Sequence, residues 1–305
     1  MNATVIADAG PSAGLGHLSR TGAVAAALRS RGIEVRCIAW GADGPIERDG
    51  LTWEPLARSE RPPTGAVTVL DTYEAPADLV ASLAAQTRLA LMHDRDVPEE
   101  AAIVTSTVGG NGRAGTLSLY GPRYACLRPP FWGVAKRETP EQVRRILIAT
   151  GGGDSTGAAV DLAEAARSGA PGVEVAVLRG PYADGGLPDG ITEVRPAADL
   201  LGELLGSDLI VTAGGQTLLE AAAAGTPAIA VVLAENQRSQ AAAVADGGAA
   251  VLADPGAAVA EAASELAANG ERRAELVRRG QELIDCFGAL RVGFHIARLA
   301  EEGSR

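Results

Sequence analysis

Lysine is all but absent from this chain of 305 residues: Lys136 stands alone, and the positive charge rests on arginines interspersed among Asp and Glu, for a net −11. That leaves no basic stripe for a nucleic-acid backbone, so no nucleic-acid partner is expected. A phosphate-bearing ligand must be met by backbone N–H groups and helix N-termini, which favours a small anion over a polymer. Aromatic residues are also scarce, 3% against 47% hydrophobic. The cores must be filled by Ala, Val, Leu and Ile, as in buried parallel strands and the helices that cover them. Cys37, Cys126 and Cys286 are far apart and odd in number, which fits neither a disulfide framework nor a zinc motif. They are read as packing residues, and no metal or cofactor is expected. Long apolar runs are lacking, and Thr4-Val5-Ile6-Ala7 follows Met1 without a basic leader. The expectation is a cytoplasmic chain with no stable membrane anchoring, a monomer or a homodimer.

What is present is an alternation of short apolar runs with helical stretches. Strands are expected at Thr4 to Ala7, Glu34 to Ala39, Val67 to Leu70, Leu89 to Met92 and Ile103 to Thr105, with helices near Leu18 to Arg31 and Ala77 to Gln86. The segment Leu127-Arg128-Pro129-Pro130-Phe131-Trp132-Gly133 and the charged run from Glu138 to Arg145 read as a linker. A second series follows: strands Ile146 to Ala149, Val173 to Leu178, Leu209 to Thr212 and Ala228 to Val232, and helices Ala158 to Arg167, Thr217 to Ala224 and Gln237 to Ala245. The tail from Pro255 is helical and amphipathic. This is an α/β chain of two Rossmann-like, doubly wound domains, residues 1–134 and 135–305.

Three strand-to-helix turns carry the chemistry. In the first, Asp8 is followed by Gly10, Gly14, Gly16, His17 and Arg20. Glycines let the backbone approach a ligand, and the first helical turn aims N–H groups at a phosphate. A His at the helix start sits at the positive end of the dipole, which favours a neutral imidazole able to accept a proton. The bland reading is a helix-start His bonded to its own loop. The second turn, Thr150-Gly151-Gly152-Gly153-Asp154, repeats the arrangement. The third, Gly214-Gly215-Gln216-Thr217, suits a pyrophosphate, and Glu220 one turn on can accept two hydrogen bonds from ribose hydroxyls. For these turns the bland readings are a plain tight turn and a solvated or capping Glu.

The same residues, with Leu70-Asp71-Thr72-Tyr73, His93-Asp94, Tyr120-Gly121-Pro122-Arg123-Tyr124 and Asp285-Cys286-Phe287-Gly288-Ala289, resemble the PseG/SpsG family of nucleotide-sugar hydrolases over nearly the whole chain. In the tail motif Cys286 takes the place of the family's first glycine. The resemblance implies a GT-B fold shared with the MurG glycosyltransferase, two domains across a cleft, and a UDP-activated amino or deoxy sugar as substrate. It implies His17 as general base for water, with Asp8 and Asp94 beside it, and Arg20, Asp71 and Tyr73 at the sugar. Gly14, Gly16, Gly152, Gly153, Gly214, Gly215, Gln216 and Thr217 would meet the diphosphate, and Glu220 the ribose. Asn236 and Gln240 correspond to polar residues after the following strand.

The reaction so implied breaks the anomeric C–O bond to give UDP and free sugar. The main alternative is a glycosyltransferase with a hydroxyl acceptor, since water and alcohol are alike to a general base. No apolar or basic rim for a membrane-bound acceptor is legible in the N-terminal half. A non-catalytic UDP-sugar-binding protein is the reading from another class.

Overall fold

The computed structural model describes residues 1–10, 13–92, 101–106, 116–152, 157–180, 183, 185–195 and 199–302. The chain divides into two compact units, Met1–Trp132 with Cys286–Arg305, and Gly133–Asp285.

In the first unit the apolar runs become β1 (Asn2–Asp8), β2 (Glu34–Trp40), β5 (Val67–Asp71), β6 (Arg88–Leu91) and β7 (Ile103–Ser106). Helix α1 (Gly16–Arg29) and α2 (Ala77–Gln86) fall where the 3.6-residue pattern puts them. Three strands were not anticipated: β3 (Ile46–Arg48), β4 (Leu51–Leu56) and β8 (Leu117–Tyr120). The sheet order is β3-β4-β2-β1-β5-β6-β7-β8, parallel except for the β3/β4 hairpin. That hairpin turns on Asp49 and Gly50 at φ 50° and 72°, the backbone of a two-residue primed turn.

The final helix, α9 (Gly288–Glu302), is part of this first unit and not of the second half to which residues 135–305 were assigned. Its Ala289, Val292, Ile296 and Ala300 are buried in one cluster with Val24 and Leu28 of α1. Gly293 makes the approach close, because a methyl group there would stand 2.8 Å from the Ala27 side chain. The apolar stations of the tail gave the helix but not its partner, since small residues carry no address.

The second unit has β9 (Arg145–Ala149), α3 (Ala158–Gly169), β10 (Glu174–Leu178), β11 (Thr192–Val194), α4 (Leu200–Leu205), β12 (Leu209–Ala213), α5 (Gln216–Ala224), β13 (Ala228–Val231), α6 (Arg238–Asp246), β14 (Val251–Leu252), α7 (Ala257–Ala268) and α8 (Gly270–Leu283). The sheet is parallel in the order β11-β10-β9-β12-β13-β14. Buried Arg273 of α8 donates to the carbonyls of Leu266 and Ala267 at the end of α7 and to those of Pro140 and Glu141, so one guanidinium satisfies orphan helix acceptors and fastens the linker to this unit.

All three cysteines are buried, and none is in a disulfide. Burial pushes the Cys37 thiol up to about 11 and the Cys126 thiol up to about 12, which keeps both as unreactive packing groups. Among the described residues no helix is long and apolar enough to cross a membrane.

Candidate active site

In the first unit β1 lies between β2 and β5. The chain therefore leaves β1 toward one edge of the sheet and later returns on its other side, which makes the ends of β1 and β5 a topological switch point, where open α/β sheets bind ligands. The register sets Ala7 beside Asp71 and Asp8 beside Trp40. Both carboxylates thus stand at the carboxyl end of the sheet, and the loop residues 9–10 and 13–15 lie between there and α1. Gly14 adopts φ 66° in that loop, a left-handed conformation that glycine takes without steric cost.

Helix α1 then presents His17, Arg20 and Thr21 to Asp71. His17 Nδ1 lies 2.8 Å from Asp71 Oδ1. Arg20 donates to both oxygens of Asp71, from Nε and from a terminal nitrogen, each at 2.6 Å. The Thr21 hydroxyl sits between Asp71 Oδ2 and the His17 carbonyl oxygen, with one hydrogen for either. Asp71 is fully buried and His17 is 8% exposed. Burial by itself would push the Asp71 carboxyl up, but Arg20 and His17 more than reverse this and hold it well below the ordinary carboxylate range. Burial likewise opposes the charge on Arg20, and Asp71 and Tyr73 outweigh it to raise its affinity for the proton.

An ionised Asp71 fixes the tautomer. Its oxygen at 2.8 Å requires a hydrogen on Nδ1, so the neutral ring carries its lone pair on Nε2. A terminal nitrogen of Arg20 lies 3.1 Å from the same Nδ1 and, as a donor, would by itself favour the other tautomer, but its two hydrogens go to Asp71 Oδ1 and the Tyr73 hydroxyl, which leaves the Nδ1 hydrogen to Asp71. The Tyr73 ring packs edge-on to His17 at 5.0 Å between centroids, and its hydroxyl accepts from Arg20 at 3.2 Å.

Tyr73 also links this cluster to a second one. Its backbone N–H donates to Asp8 Oδ2 at 3.3 Å, and Arg58 donates to Asp8 Oδ1 at 3.2 Å. Arg58 lies over the Trp40 ring and pairs with Glu74. Gly41, at φ 90°, leaves room for it: a methyl group there would stand 2.8 Å from Arg58 Nε. Neither Arg58 nor Thr21 was singled out from the sequence. Arg58 is fifty residues from the carboxylate it serves and lies in no motif.

The second unit has its own switch point, with β9 between β10 and β12, and the Thr212 hydroxyl donates across it to the Ala149 carbonyl at 2.7 Å. The glycine turns follow these two strands. Gly151 is at φ 105° and Gly152 is partly exposed. Gly153 lies outside the described residues, as does Asp94 of the first unit. After β12, Gly214 and Gly215 lead into α5, whose N-cap Gly215 offers no side chain to the first-turn N–H groups. A methyl group on Gly214 would stand 2.8 Å from the Ala241 side chain.

Gln240 of α6 donates its side-chain amide to the carbonyls of Gly214 and Gly215, at 2.9 and 2.8 Å, so it braces the turn itself. Gln216 and Thr217 are partly exposed at the start of α5, Glu220 is buried one turn further in, and Asn236 is exposed. Gly16 opens α1, whose N-cap Leu15 likewise offers no capping side chain. Among the described residues no cluster of three or more His, Cys, Asp or Glu is arranged to hold a metal.

No family model and no curated protein matches the chain. Solved structures do. The glycosyltransferase SsfS6 of Streptomyces sp. SF2575, complexed with thymidine diphosphate, aligns over 99% of each chain at 16% identity and a TM-score of 0.63. MurG of Acinetobacter baumannii aligns over 97% of this chain and 99% of its own at 18% and 0.60. The S. aureus MnaA structure with UDP covers 97% of this chain and 96% of that one at 12% and 0.64. Together with the two α/β units built on mainly parallel sheets, these likenesses assign the chain to the GT-B fold.

Proposed function

We propose that this chain is a nucleotide-sugar enzyme that transfers the sugar of a pyrimidine nucleoside diphosphate sugar to a hydroxyl, with His17 as general base. The observation that carries the reading is the His17–Asp71 contact, which orients the ring and leaves Nε2 as proton acceptor. In the proposed step Nε2 takes the proton of the attacking hydroxyl as its oxygen bonds to the anomeric carbon. The bond from that carbon to the diphosphate oxygen breaks, and the leaving group departs with the electron pair. A positioned base contributes on the order of 10² to 10⁴ in rate.

The growing charge on the diphosphate calls for pre-oriented donors. The N–H groups of Gly152, Gly214, Gly215, Gln216 and Thr217 are assigned that task, and Glu220 the ribose. Asp71 and Arg20 act through His17, as positioning residues. Likeness to glycosyltransferase structures favours an acceptor hydroxyl. A second reading, hydrolysis, rests on the sequence motifs around His17, Asp71 and Tyr73 and uses the same base on water.

The deciding experiment incubates the chain with UDP- and dTDP-sugars in isotopically labelled water, with and without hydroxyl acceptors. Acceptor-dependent release of nucleoside diphosphate supports transfer. Acceptor-independent release with label in the sugar supports hydrolysis. Unchanged turnover in His17→Asn would remove the base from both.

A further inference from the structure

The cluster around Arg58 holds hydrogen-bonding capacity that the His17–Asp71 contact does not use. Arg58 stands just beyond the carboxyl end of β4, which runs parallel to β2, so its guanidinium reaches the same edge of the sheet as Asp8 and Asp71. Its position is fixed from three sides. It lies over the ring of buried Trp40 at 5.1 Å from the centroid, it donates from Nη1 to the buried Asp8 carboxylate at 3.2 Å, and it occupies the room that glycine leaves at position 41. A planar head held in this way loses little freedom when a ligand reaches it.

Among the described residues, the bond to Asp8 is the one hydrogen bond that the Arg58 side chain makes. Nε and the second terminal nitrogen form the other edge of the guanidinium fork and keep their hydrogens for a ligand, and the side chain is 35% exposed. Glu74 stands beside it. Its carboxylate comes within 3.2 Å of the same Nη1 and is 61% exposed, which leaves it open to a donor. Charged donors and a charged acceptor therefore lie side by side. Tyr73 connects them to the proposed base, since its backbone N–H donates to Asp8 and its ring packs on His17 at 5.0 Å.

The charges select the ligand. A carboxylate or phosphate would meet one guanidinium and two carboxylates, Asp8 and Glu74, and would be repelled on balance. An ammonium group would suit Glu74 but has no lone pair for the Arg58 fork. A hydroxyl satisfies both partners, because its oxygen accepts from the guanidinium while its hydrogen is given to the carboxylate. Two adjacent hydroxyls on one sugar ring fill the fork and the carboxylate together. We infer that Arg58 and Glu74 form a subsite for a vicinal diol of a saccharide, carried either by the transferred sugar or by its acceptor. The inference rests on the sugar chemistry proposed above and narrows it: one of the two substrates keeps a pair of adjacent free hydroxyls, and a ring deoxygenated at that pair is discriminated against.

The test titrates the full chain, followed by ligand-observed NMR, with the methyl glycosides of glucose, galactose and mannose, their monodeoxy derivatives, UDP, UDP-glucose and UDP-galactose. Removing either hydroxyl of one adjacent pair should weaken binding by roughly tenfold, the scale of a hydrogen bond to a charged group. Glu74→Gln, at an exposed side chain, should keep the wild-type thermal midpoint and weaken the same probe by about fivefold. Arg58→Lys keeps a cation beside Asp8 but loses the fork, and should weaken it as much. If the free glycosides respond, the diol belongs to the acceptor. If instead the excess affinity of a UDP-sugar over UDP falls, it belongs to the transferred sugar. An arginine that merely balances the charge of Asp8 has no need of Glu74, so probes unmoved by Glu74→Gln would overturn the inference. Deoxy derivatives that bind as well as their parents would overturn it too, as would glycosides that do not bind together with UDP-sugars no tighter than UDP. Glycoside binding that is sensitive to Glu74→Gln in a chain that does not bind UDP would sink the nucleotide reading and leave the diol subsite standing.

Discussion

His17 at the start of α1 and Asp71 at the end of β5 meet through one 2.8 Å contact, and Arg20 claims both oxygens of the same carboxylate. The arginine therefore decides what an amide would do in place of Asp71. In Asp71→Asn the two Arg20 donors compete for the single carbonyl oxygen, which turns the amide NH₂ toward His17 Nδ1. A donor there forces the proton onto Nε2 and removes the base. Turnover should fall by on the order of 10⁴, as expected when a catalytic His is held in the wrong tautomer. Nucleoside diphosphate affinity, measured by calorimetry, should stay within about twofold because it is assigned to the second unit. A variant that keeps wild-type turnover would show that the contact is structural.

The same carboxylate gives a pH signature. Asp71 is held well below the usual range in the folded chain. Its contribution to stability is thus fully present above the unfolded value of about 4 and is lost as pH falls toward the folded value. The stability difference between wild type and Asp71→Asn, from urea unfolding, should be constant from about pH 7 to pH 5 and shrink below about pH 4. A difference that persists undiminished down to about pH 2 contradicts an ionised, paired Asp71.

Which parts of this site were legible in the sequence follows from how local each signal is. Asp8, Gly14 and His17 lie in one strand-turn-helix segment, and apolar periodicity with glycine spacing marks such a segment. Asp71 ends a run of buried residues and is visible for the same reason. Cys286 stands where the resembled motif has glycine and adopts φ 67°, so that motif carried backbone information. Arg58 was hidden because its role comes from the strand order that brings β4 next to β2. The β3/β4 hairpin was readable in principle: Asp49-Gly50 is a strong hairpin signal, but its strands are short and half exposed. The partner of α9 was not legible, since alanines and a glycine pack equally well against any smooth helix.

The nucleotide grip can be tested apart from the chemistry. Glu220 is buried on α5 and is assigned to the ribose, while Gln240 holds two carbonyls of the turn before it. Glu220→Gln should weaken UDP binding by roughly tenfold or more, the scale of a hydrogen bond to a charged group. Gln240→Leu should weaken it by about fivefold through a looser turn. Both effects should appear in titrations with UDP alone, with a thermal midpoint within a few degrees of wild type for Gln240→Leu. If UDP affinity is unmoved in both variants, the turn at Gly214 and Gly215 is not the diphosphate site.

The placement of α9 makes the most demanding structural prediction. A methyl group on Gly288 would overlap the carbonyl oxygen of Ala125 and stand 2.6 Å from the Ala125 nitrogen. Both are backbone atoms, so no side chain can rotate to relieve the contact, and either the start of α9 or the segment at 125 must shift. Overpacking of this kind costs about 3 kcal/mol, and it falls on the helix whose inner face completes the first core. Gly288→Ala should therefore lower the thermal midpoint by several degrees and speed proteolytic removal of the C-terminal helix. Gly186, where a methyl group would meet open space, supplies the control: Gly186→Ala should leave both measurements near wild type. Equal behaviour of the two variants would mean that α9 does not close on the first unit through Gly288.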